Sequence, residues 1–299
     1  MLVFFIHGAS VRTVEYADPL RNYLIREFVS RSLEMPQFYS SYIGEAIGDF
    51  HQLWDYVEQD LGNLAWDYPK FKPEDLFHYR DRRRQFIVEF FGDLCNYLNP
   101  QRGKEVRKVI ALQLLNFIKS APTETDLHIV AHSLGSAIWW DILFSHQFES
   151  GDPAYYIRDV IKGLSASSSM RKVVLRSMTT LGSPLLFFDR LLNIDPAQLH
   201  QFASRYTQHP LRWVNILHAS DIFAYPVRAS LELDGTSPLY IRDRYLGDRN
   251  FLKKSIGDVT MALGMMAEHT GYWRSDRVAR LVAANLLGDR AEIESADPF

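Results

Sequence analysis

Residues 127–141 read LHIVAHSLGSAIWWD, and this stretch decides the fold class that the sequence predicts. Its opening residues, 127–131, form a short, mostly apolar run of the kind that builds a buried strand. After His132, Ser133, Leu134 and Gly135, apolar residues recur at helical spacing: Ile138, Trp139, Ile142 and Leu143. The pattern therefore predicts a strand, a tight turn that contains Ser133, and a helix.

This order of strand, turn and helix is the setting of a G-x-S-x-G nucleophile elbow, in which a strained backbone presents the serine hydroxyl. Small residues stand two positions before and after the serine, because the flanking backbones nearly touch. Here they are Ala131 and Gly135, so A-H-S-L-G differs from the pattern by one methyl group. We predict Ser133 as a nucleophile; the alternative is a serine that only caps the following helix.

Composition favours one large domain and excludes some partners. The chain has 299 residues, 47% of them hydrophobic, and a net charge of −3, so we expect no nucleic-acid partner. Cys95 is the single cysteine, which rules out an internal disulfide and suits a reducing compartment. The apolar start at residues 1–6 is too short and lacks the basic residues of a secretory signal. We expect a single cytoplasmic domain spanning residues 1–299.

Strand and helix patterns alternate along the chain. Strands are predicted at residues 2–6, 38–43, 127–131, 172–181 and 211–217, and helices at 17–28, 103–119, 256–266 and 276–287. The alternation predicts an α/β fold with a mostly parallel central sheet and helices on both faces. Active sites of such sheets lie beyond the carboxyl ends of the strands. His7, Ser133, Gly182 and Asp221 all follow predicted strands.

Residues 44–100 are less regular and rich in aromatic side chains. We predict a helical cap or lid inserted over the pocket, and the alternative is a set of ordinary surface helices. Within it lies a basic cluster of Arg80, Arg82, Arg83 and Arg84. The cluster fits either a solvated helix face or an anchor for anionic head groups, which would bring transient contact with a membrane surface.

The segment after the first strand indicates an oxyanion hole. Residues 2–6 run directly into His7, Gly8, Ala9 and Ser10. Gly8 permits a turn, and the backbone N–H of Ala9 or Ser10 can then point at a substrate oxygen, together with the N–H of Leu134. Taken alone, the segment indicates a plain turn at a strand end; together with the serine elbow, it favours an oxyanion hole.

A serine nucleophile needs a histidine base, which in turn needs an acid to orient it. Both are expected after the serine, in the order acid then histidine. His269 is the last histidine and precedes the helix predicted at 276–287; its competitors are His146, His200, His209 and His218. Asp221 follows the strand at 211–217; its competitors are Asp195, Asp234, Asp243, Asp248 and Asp258. We predict Ser133, Asp221 and His269 as the catalytic residues.

No motif indicates a metal or a cofactor. The sequence contains no H-E-x-x-H, no cysteine cluster, no Walker loop and no G-x-G-x-x-G. We therefore expect neither.

The chain resembles an α/β-hydrolase of the serine esterase and lipase group, on FIHG at 5–8, AHSLG at 131–135, LGSP at 181–184, the Asp221 loop and the late His269. The order of its segments is also similar to the intracellular phospholipases of the DDHD-domain group. The matching segments are HSLGS with Asp141 in the following helix, N-I-x-H-x-x-D-x-x-A-Y at 215–225, and H-T-x-Y-W at 269–273. Ile222 departs from that group, which usually has proline after the aspartate, and the chain lacks the group's extra regions.

The resemblance implies an α/β-hydrolase fold, the triad of Ser133, Asp221 and His269, and hydrolysis of a carboxylic ester through an acyl-enzyme. A phospholipid or another acyl lipid is the leading substrate class. One alternative is a thioesterase or small-ester esterase that uses the same residues. Another is a non-catalytic module that binds a ligand in the pocket of a hydrolase fold. The sequence leaves the oligomeric state open.

Overall fold

The structure is a computed structural model of the chain. It describes residues 1–48, 51–70, 72, 80–84, 88, 90–165, 171–192, 194–205, 210–231, 239–247 and 269–295. The helix predicted at 256–266 lies outside the described residues, as do His209, Asp234, Asp248 and Asp258.

Six strands form one sheet in which every neighbouring pair is parallel. The strands are β1 (Leu2–Ile6), β2 (Gln37–Ser41), β3 (Asp126–His132), β4 (Val174–Leu181), β5 (Arg212–His218) and β6 (Tyr240–Leu246). Their order across the sheet is β2-β1-β3-β4-β5-β6. The predicted α/β class with a parallel sheet is confirmed, and five of these strands match the predicted ones to within two residues.

Strand β6 was not predicted, for a physical reason. It reads YIRDRYL, so Arg242, Asp243 and Arg244 interrupt its apolar residues. These side chains are tolerated because β6, paired with β5, lies at the edge of the sheet that the described residues form, and its middle stays partly exposed. An edge strand lacks the continuous apolar run that reveals a buried parallel strand.

The described helices fall between and after the strands. They are α1 (Asp18–Ser30), α2 (His51–Asp67), α3 (Arg80–Arg84), α4 (Gly92–Leu98), α5 (Pro100–Ser120), α6 (Leu134–Phe144), α7 (Pro153–Val160), α8 (Leu185–Leu192), α9 (Ala197–Ala203), α10 (Arg228–Leu231), α11 (Asp276–Leu287) and α12 (Arg290–Ser295). Helices α7, α8 and α9 were missed because seven or eight residues give too little helical periodicity.

Both faces of the sheet are covered, as the apolar strands require. On one face, Leu2, Phe4 and Ile6 of β1 pack in a core cluster with residues of α5 and α6. On the other face, Val3 and Phe5 pack with residues of α1 and α11. Burial on both sides explains why β1 is apolar along its whole length, rather than alternating.

After the adjacent strands β1 and β3, the chain continues on opposite faces of the sheet. After β1 the chain continues into α1 on one face, and after β3 it continues into α6 on the other. This divergence at adjacent strand ends opens a crevice, which is the usual ligand position in parallel sheets. Residues 7–10 and Ser133 therefore lie at the edge where a site is expected.

Helices α2, α3 and α4 belong to the insertion between β2 and α5.

In the described part of the chain, no helix has both the length and the apolar composition that crossing a membrane requires.

Candidate active site

Ser133 is the single residue between β3 and α6. Its backbone angles are φ 50° and ψ −127°, a region that side-chain-bearing residues seldom occupy. Three hydrogen bonds hold this conformation. The Ser133 N–H donates to Leu181 O over 2.9 Å, and Ser133 O accepts from the Ser136 N–H over 2.9 Å and from Ser136 Oγ over 2.5 Å. The neighbouring strand and the first turn of α6 therefore fix the position of the Ser133 hydroxyl.

The turn packs backbone to backbone against the segment after β1. A Cβ added to Gly135 would lie 2.4 Å from the main-chain oxygen of His7, and one added to Gly8 would lie 2.5 Å from Ser133 Cβ. Real Cβ atoms do not approach other atoms so closely, so both positions require glycine. The backbone that excludes a side chain at position 135 is thus the end of β1, and not β3 as the strand–turn–helix pattern suggested.

The structure brings together the three residues that the sequence predicted as catalytic. His269 Nε2 lies 2.7 Å from Ser133 Oγ, and His269 Nδ1 lies 3.0 and 2.9 Å from Asp221 Oδ1 and Oδ2. An ionised carboxylate only accepts hydrogen bonds, so Nδ1 carries the proton and Nε2 accepts the Ser133 O–H. The exposed fractions of Ser133, Asp221 and His269 are 1%, 5% and 4%.

Asp221 is held in its ionised form. Burial alone would raise the pKa of its carboxyl group, but hydrogen bonds from His269, the Phe223 N–H and the Tyr272 hydroxyl outweigh burial and lower that pKa below its ordinary value. Asp221 is therefore negatively charged at neutral pH. A charge at this position stabilises the imidazolium that His269 would become on accepting a proton.

The Tyr272 hydroxyl holds the Asp221 carboxylate in place, a role that the sequence did not predict. Its hydroxyl donates to Asp221 Oδ2 over 2.8 Å and accepts from the His218 N–H over 2.7 Å. The hydroxyl thereby links Asp221 to the end of β5. The only signal in the sequence was the place of Tyr272 in the H-T-x-Y-W segment.

The three predicted oxyanion donors differ in their surroundings. Leu134 is the first residue of α6, so its N–H has no acceptor inside the helix and lies at the positive end of the helix dipole. Ala9 follows Gly8 in the segment that contacts Ser133. The N–H of Ser10, in contrast, donates to Asp93 Oδ2 over 2.8 Å. Its prediction as an oxyanion donor is therefore wrong, because a buried carboxylate already holds it.

His7 shapes the same segment. Its Nδ1 lies 2.7 Å from Gly8 O, and its Nε2 accepts the Ile43 N–H over 3.0 Å. This pairing assigns the proton to Nδ1. Burial lowers the pKa of His7 to about 4, so the ring is neutral and ties the turn after β1 to the residues after β2.

An aromatic pair covers the base. The rings of Phe90 and Phe223 lie 4.5 Å apart, and their centroids lie 6.1 and 4.8 Å from that of His269. Phe90 belongs to the insertion between β2 and α5, and Phe223 follows Asp221. This cover accounts for the burial of His269.

The described competitors of Asp221 have structural partners elsewhere. Asp243 accepts from the side chain of Asn215 and from the N–H groups of Val227 and Arg228. Asp195 accepts from the Ala197 N–H over 2.9 Å. Of the acids that the structure describes, Asp221 is the one that contacts His269.

No three His, Cys, Asp or Glu side chains within the described ranges are grouped so that they could hold a metal ion. The chain matches no known protein-family model, and no curated protein matches it at a significant level.

Proposed function

We propose that this protein is a serine hydrolase with an α/β-hydrolase fold that cleaves carboxylic esters through an acyl-enzyme. The observation that carries the proposal is the continuous hydrogen-bonded chain from Ser133 Oγ through His269 to Asp221. A serine with a strained backbone, an imidazole hydrogen-bonded to it and a buried carboxylate in this order form an activated nucleophile. The order serine, acid, histidine along the chain further supports this fold family.

The reaction would begin when His269 Nε2 takes the proton of Ser133 Oγ as that oxygen attacks the ester carbonyl carbon. The carbonyl oxygen becomes an oxyanion near the N–H groups of Leu134 and Ala9. Collapse of the intermediate breaks the ester C–O bond, and His269 returns the proton to the leaving alkoxide. Water then attacks the acyl-enzyme by the same steps and releases the carboxylic acid.

The insertion at 44–100 supports the proposal of a cap over the site. Its Phe90 contacts the rings of Phe223 and His269. Its helix α4 is attached to the core at two points, where Asp93 contacts Ser10 and where the Tyr97 hydroxyl donates to Asp141. An apolar cover of this kind favours an apolar acyl group, in agreement with the resemblance to lipid hydrolases.

The basic cluster bears on the proposed contact with a membrane surface. In the basic cluster, Arg80 is paired with Glu58 of α2, with 2.7 Å between Arg80 Nε and Glu58 Oε1. This pairing favours the interpretation of Arg80 as part of a solvated helix face.

The test is hydrolysis of p-nitrophenyl esters from acetate to palmitate by wild type, Ser133→Ala and Ser32→Ala. Ser32 is an exposed serine that shares the positive φ of Ser133, at 53°, so it controls for the loss of such a hydroxyl elsewhere. We expect Ser133→Ala to lose at least about a thousandfold in kcat and Ser32→Ala to keep wild-type rates. Full activity in Ser133→Ala contradicts the proposal.

The same series separates the candidate substrates. A preference for long acyl chains favours a lipid hydrolase, and a preference for acetate or butyrate favours a small-ester esterase. Comparison of the matching acyl thioesters identifies a thioesterase. Absence of any turnover, together with absence of covalent labelling at Ser133, favours the binding module.

A further inference from the structure

Ser10 has a backbone conformation that its surroundings must maintain. Three non-glycine residues in the described ranges have a positive φ, namely Ser10 at 63°, Ser32 at 53° and Ser133 at 50°. Ser32 follows the end of α1, where left-handed residues commonly end a helix. Ser10 follows β1 beside the candidate nucleophile, and strained residues of this kind concentrate at functional sites.

An ion pair between the buried Asp93 and the solvent-exposed Arg12 holds this conformation. Asp93 of α4 accepts the Ser10 N–H over 2.8 Å and also contacts Arg12 twice, through Nη1 at 3.0 Å and Nη2 at 3.2 Å. Asp93 is only 1% exposed, and Arg12 balances its charge. We name this group of Ser10, Arg12 and Asp93 the clamp. Because of the clamp, the main-chain donor of Ser10 is not available to a substrate.

The side chain of Ser10 is in the opposite situation. Its Oγ is buried and has no hydrogen-bond partner within the described ranges. Buried hydroxyl groups are nearly always hydrogen-bonded, so an exception requires an explanation, and a group kept for a ligand is one. The clamp occupies the main-chain N–H of Ser10 and leaves its side-chain O–H available to a ligand.

The location of Ser10 indicates which ligand atom this hydroxyl would meet. A Cβ on Gly8 would lie 3.1 Å from Ser133 Oγ, and Ser10 is two residues further along. Two consecutive peptide units span at most about 7 Å, so Ser10 belongs to the same short segment as Gly8, which packs against Ser133. This segment follows β1, whereas the Leu134 N–H lies at the start of α6.

We propose that Ser10 is a further catalytic residue, whose Oγ–H donates a hydrogen bond to the oxyanion opposite the Leu134 N–H. Asp93 is then a positioning residue that acts through Ser10. The hydroxyl keeps its proton throughout and stabilises the negative charge that the former carbonyl oxygen acquires. The inference rests on the proposed serine hydrolase function and names a side-chain donor where the sequence predicted a main-chain one.

Ser10→Gly is the most direct variant, because glycine removes the hydroxyl and adopts a positive φ without strain. We expect kcat for the preferred p-nitrophenyl ester to fall about a hundredfold, as for other single oxyanion donors, with KM changed less than twofold. The thermal midpoint should stay equal or rise. Ser32→Gly makes the same change outside the site and should leave kcat unaltered.

The ratio of ester to thionoester hydrolysis distinguishes a catalytic role of Ser10 from a purely structural one, because a structural role would leave this ratio unchanged. Its carbonyl sulfur accepts hydrogen bonds poorly, so wild type should favour the ester strongly over the thionoester. Ser10→Gly should reduce this preference at least about tenfold, and Asp93→Ala should also reduce it. Wild-type kcat and ester preference in Ser10→Gly would overturn the inference and leave Ala9 as the donor on that side.

The Ser133→Ala variant distinguishes failure of the inference about Ser10 from failure of the proposed function. Loss of activity in Ser133→Ala with full activity in Ser10→Gly overturns only the role of Ser10. Full activity in Ser133→Ala, or absence of both turnover and covalent labelling at Ser133 in wild type, overturns the proposed function and this inference together.

Discussion

His132 donates its Nε2–H to the main-chain oxygen of His269 over 2.6 Å. Its ring also packs against the rings of His269, Tyr272 and Trp273, at centroid distances of 4.9, 5.8 and 5.7 Å. Burial, together with the neighbouring His269, lowers the pKa of His132 to about 3, so the ring stays neutral. The residue that precedes the candidate nucleophile thus anchors the backbone of the candidate base.

This anchor predicts a rate effect that depends on the donor rather than on the ring. His132→Phe keeps an aromatic ring but removes the hydrogen bond, and we expect kcat to fall about tenfold or more with little change in KM. His132→Gln places an amide N–H near the position of Nε2 and should recover most of the rate. Equal kcat values for the two variants in ester hydrolysis would contradict the anchoring role.

Tyr272→Phe should weaken the site through Asp221. The variant removes the hydroxyl between Asp221 and the His218 N–H, which leaves that partly buried N–H without this acceptor. We expect a loss of about 1–3 kcal/mol in the free energy of unfolding and a lower kcat. Tyr155→Phe is the matched control, because its hydroxyl donates to Phe148 O far from Asp221. A normal kcat in Tyr272→Phe would show that Asp221 needs no such support.

Gly135→Ala tests the close packing between the Ser133 turn and β1. The new methyl group would lie 2.4 Å from the main-chain oxygen of His7, so we expect strong destabilisation or loss of folding in urea unfolding. Gly62→Ala is the control, because it lies within α2 and a Cβ there meets no atom within 4 Å. It should stabilise the protein by about 0.5–1 kcal/mol. Similar stabilities for the two variants would refute the packing argument.

The free energy of unfolding should decrease as the pH is lowered, because the folded protein contains buried, neutral histidines. His128 packs in β3, its Nδ1 lies 2.7 Å from Ser177 Oγ, and burial lowers its pKa from 6.5 to about 3. Between those pH values the unfolded chain binds a proton that the folded chain does not. The free energy of unfolding therefore decreases as pH falls below about 6.5, by about 1.4 kcal/mol per pH unit for each such histidine.

Urea unfolding of wild type and His128→Gln between pH 7 and pH 4.5 measures this contribution. The variant should show a shallower dependence on pH, by up to about 1.4 kcal/mol per unit. Asp221 does not disturb the comparison: the pKa of its carboxyl group is lowered in the folded state, so its contribution is lost only at more acidic pH. Parallel pH profiles for the two proteins would contradict burial of a neutral His128.

The sequence predicted the centre of the fold and the candidate triad because both depend on local signals. Buried parallel strands are apolar runs, and Ser133, Asp221 and His269 follow patterns that can be read within a few residues. The clamp could not be predicted, because Ser10 and Asp93 are 83 positions apart and meet only through the fold. The anchor between His132 and His269 was missed for the same reason.

Covalent labelling tests the central claim most directly. Wild type, Ser133→Ala and His269→Gln would be treated with a fluorophosphonate, and the modified residue would be located by mass spectrometry of the peptides. The account predicts one phosphonylated residue, Ser133, in wild type, much slower labelling in His269→Gln, and none in Ser133→Ala. Labelling of Ser133→Ala at the wild-type rate, or no labelling of the folded wild-type protein, would contradict an activated Ser133.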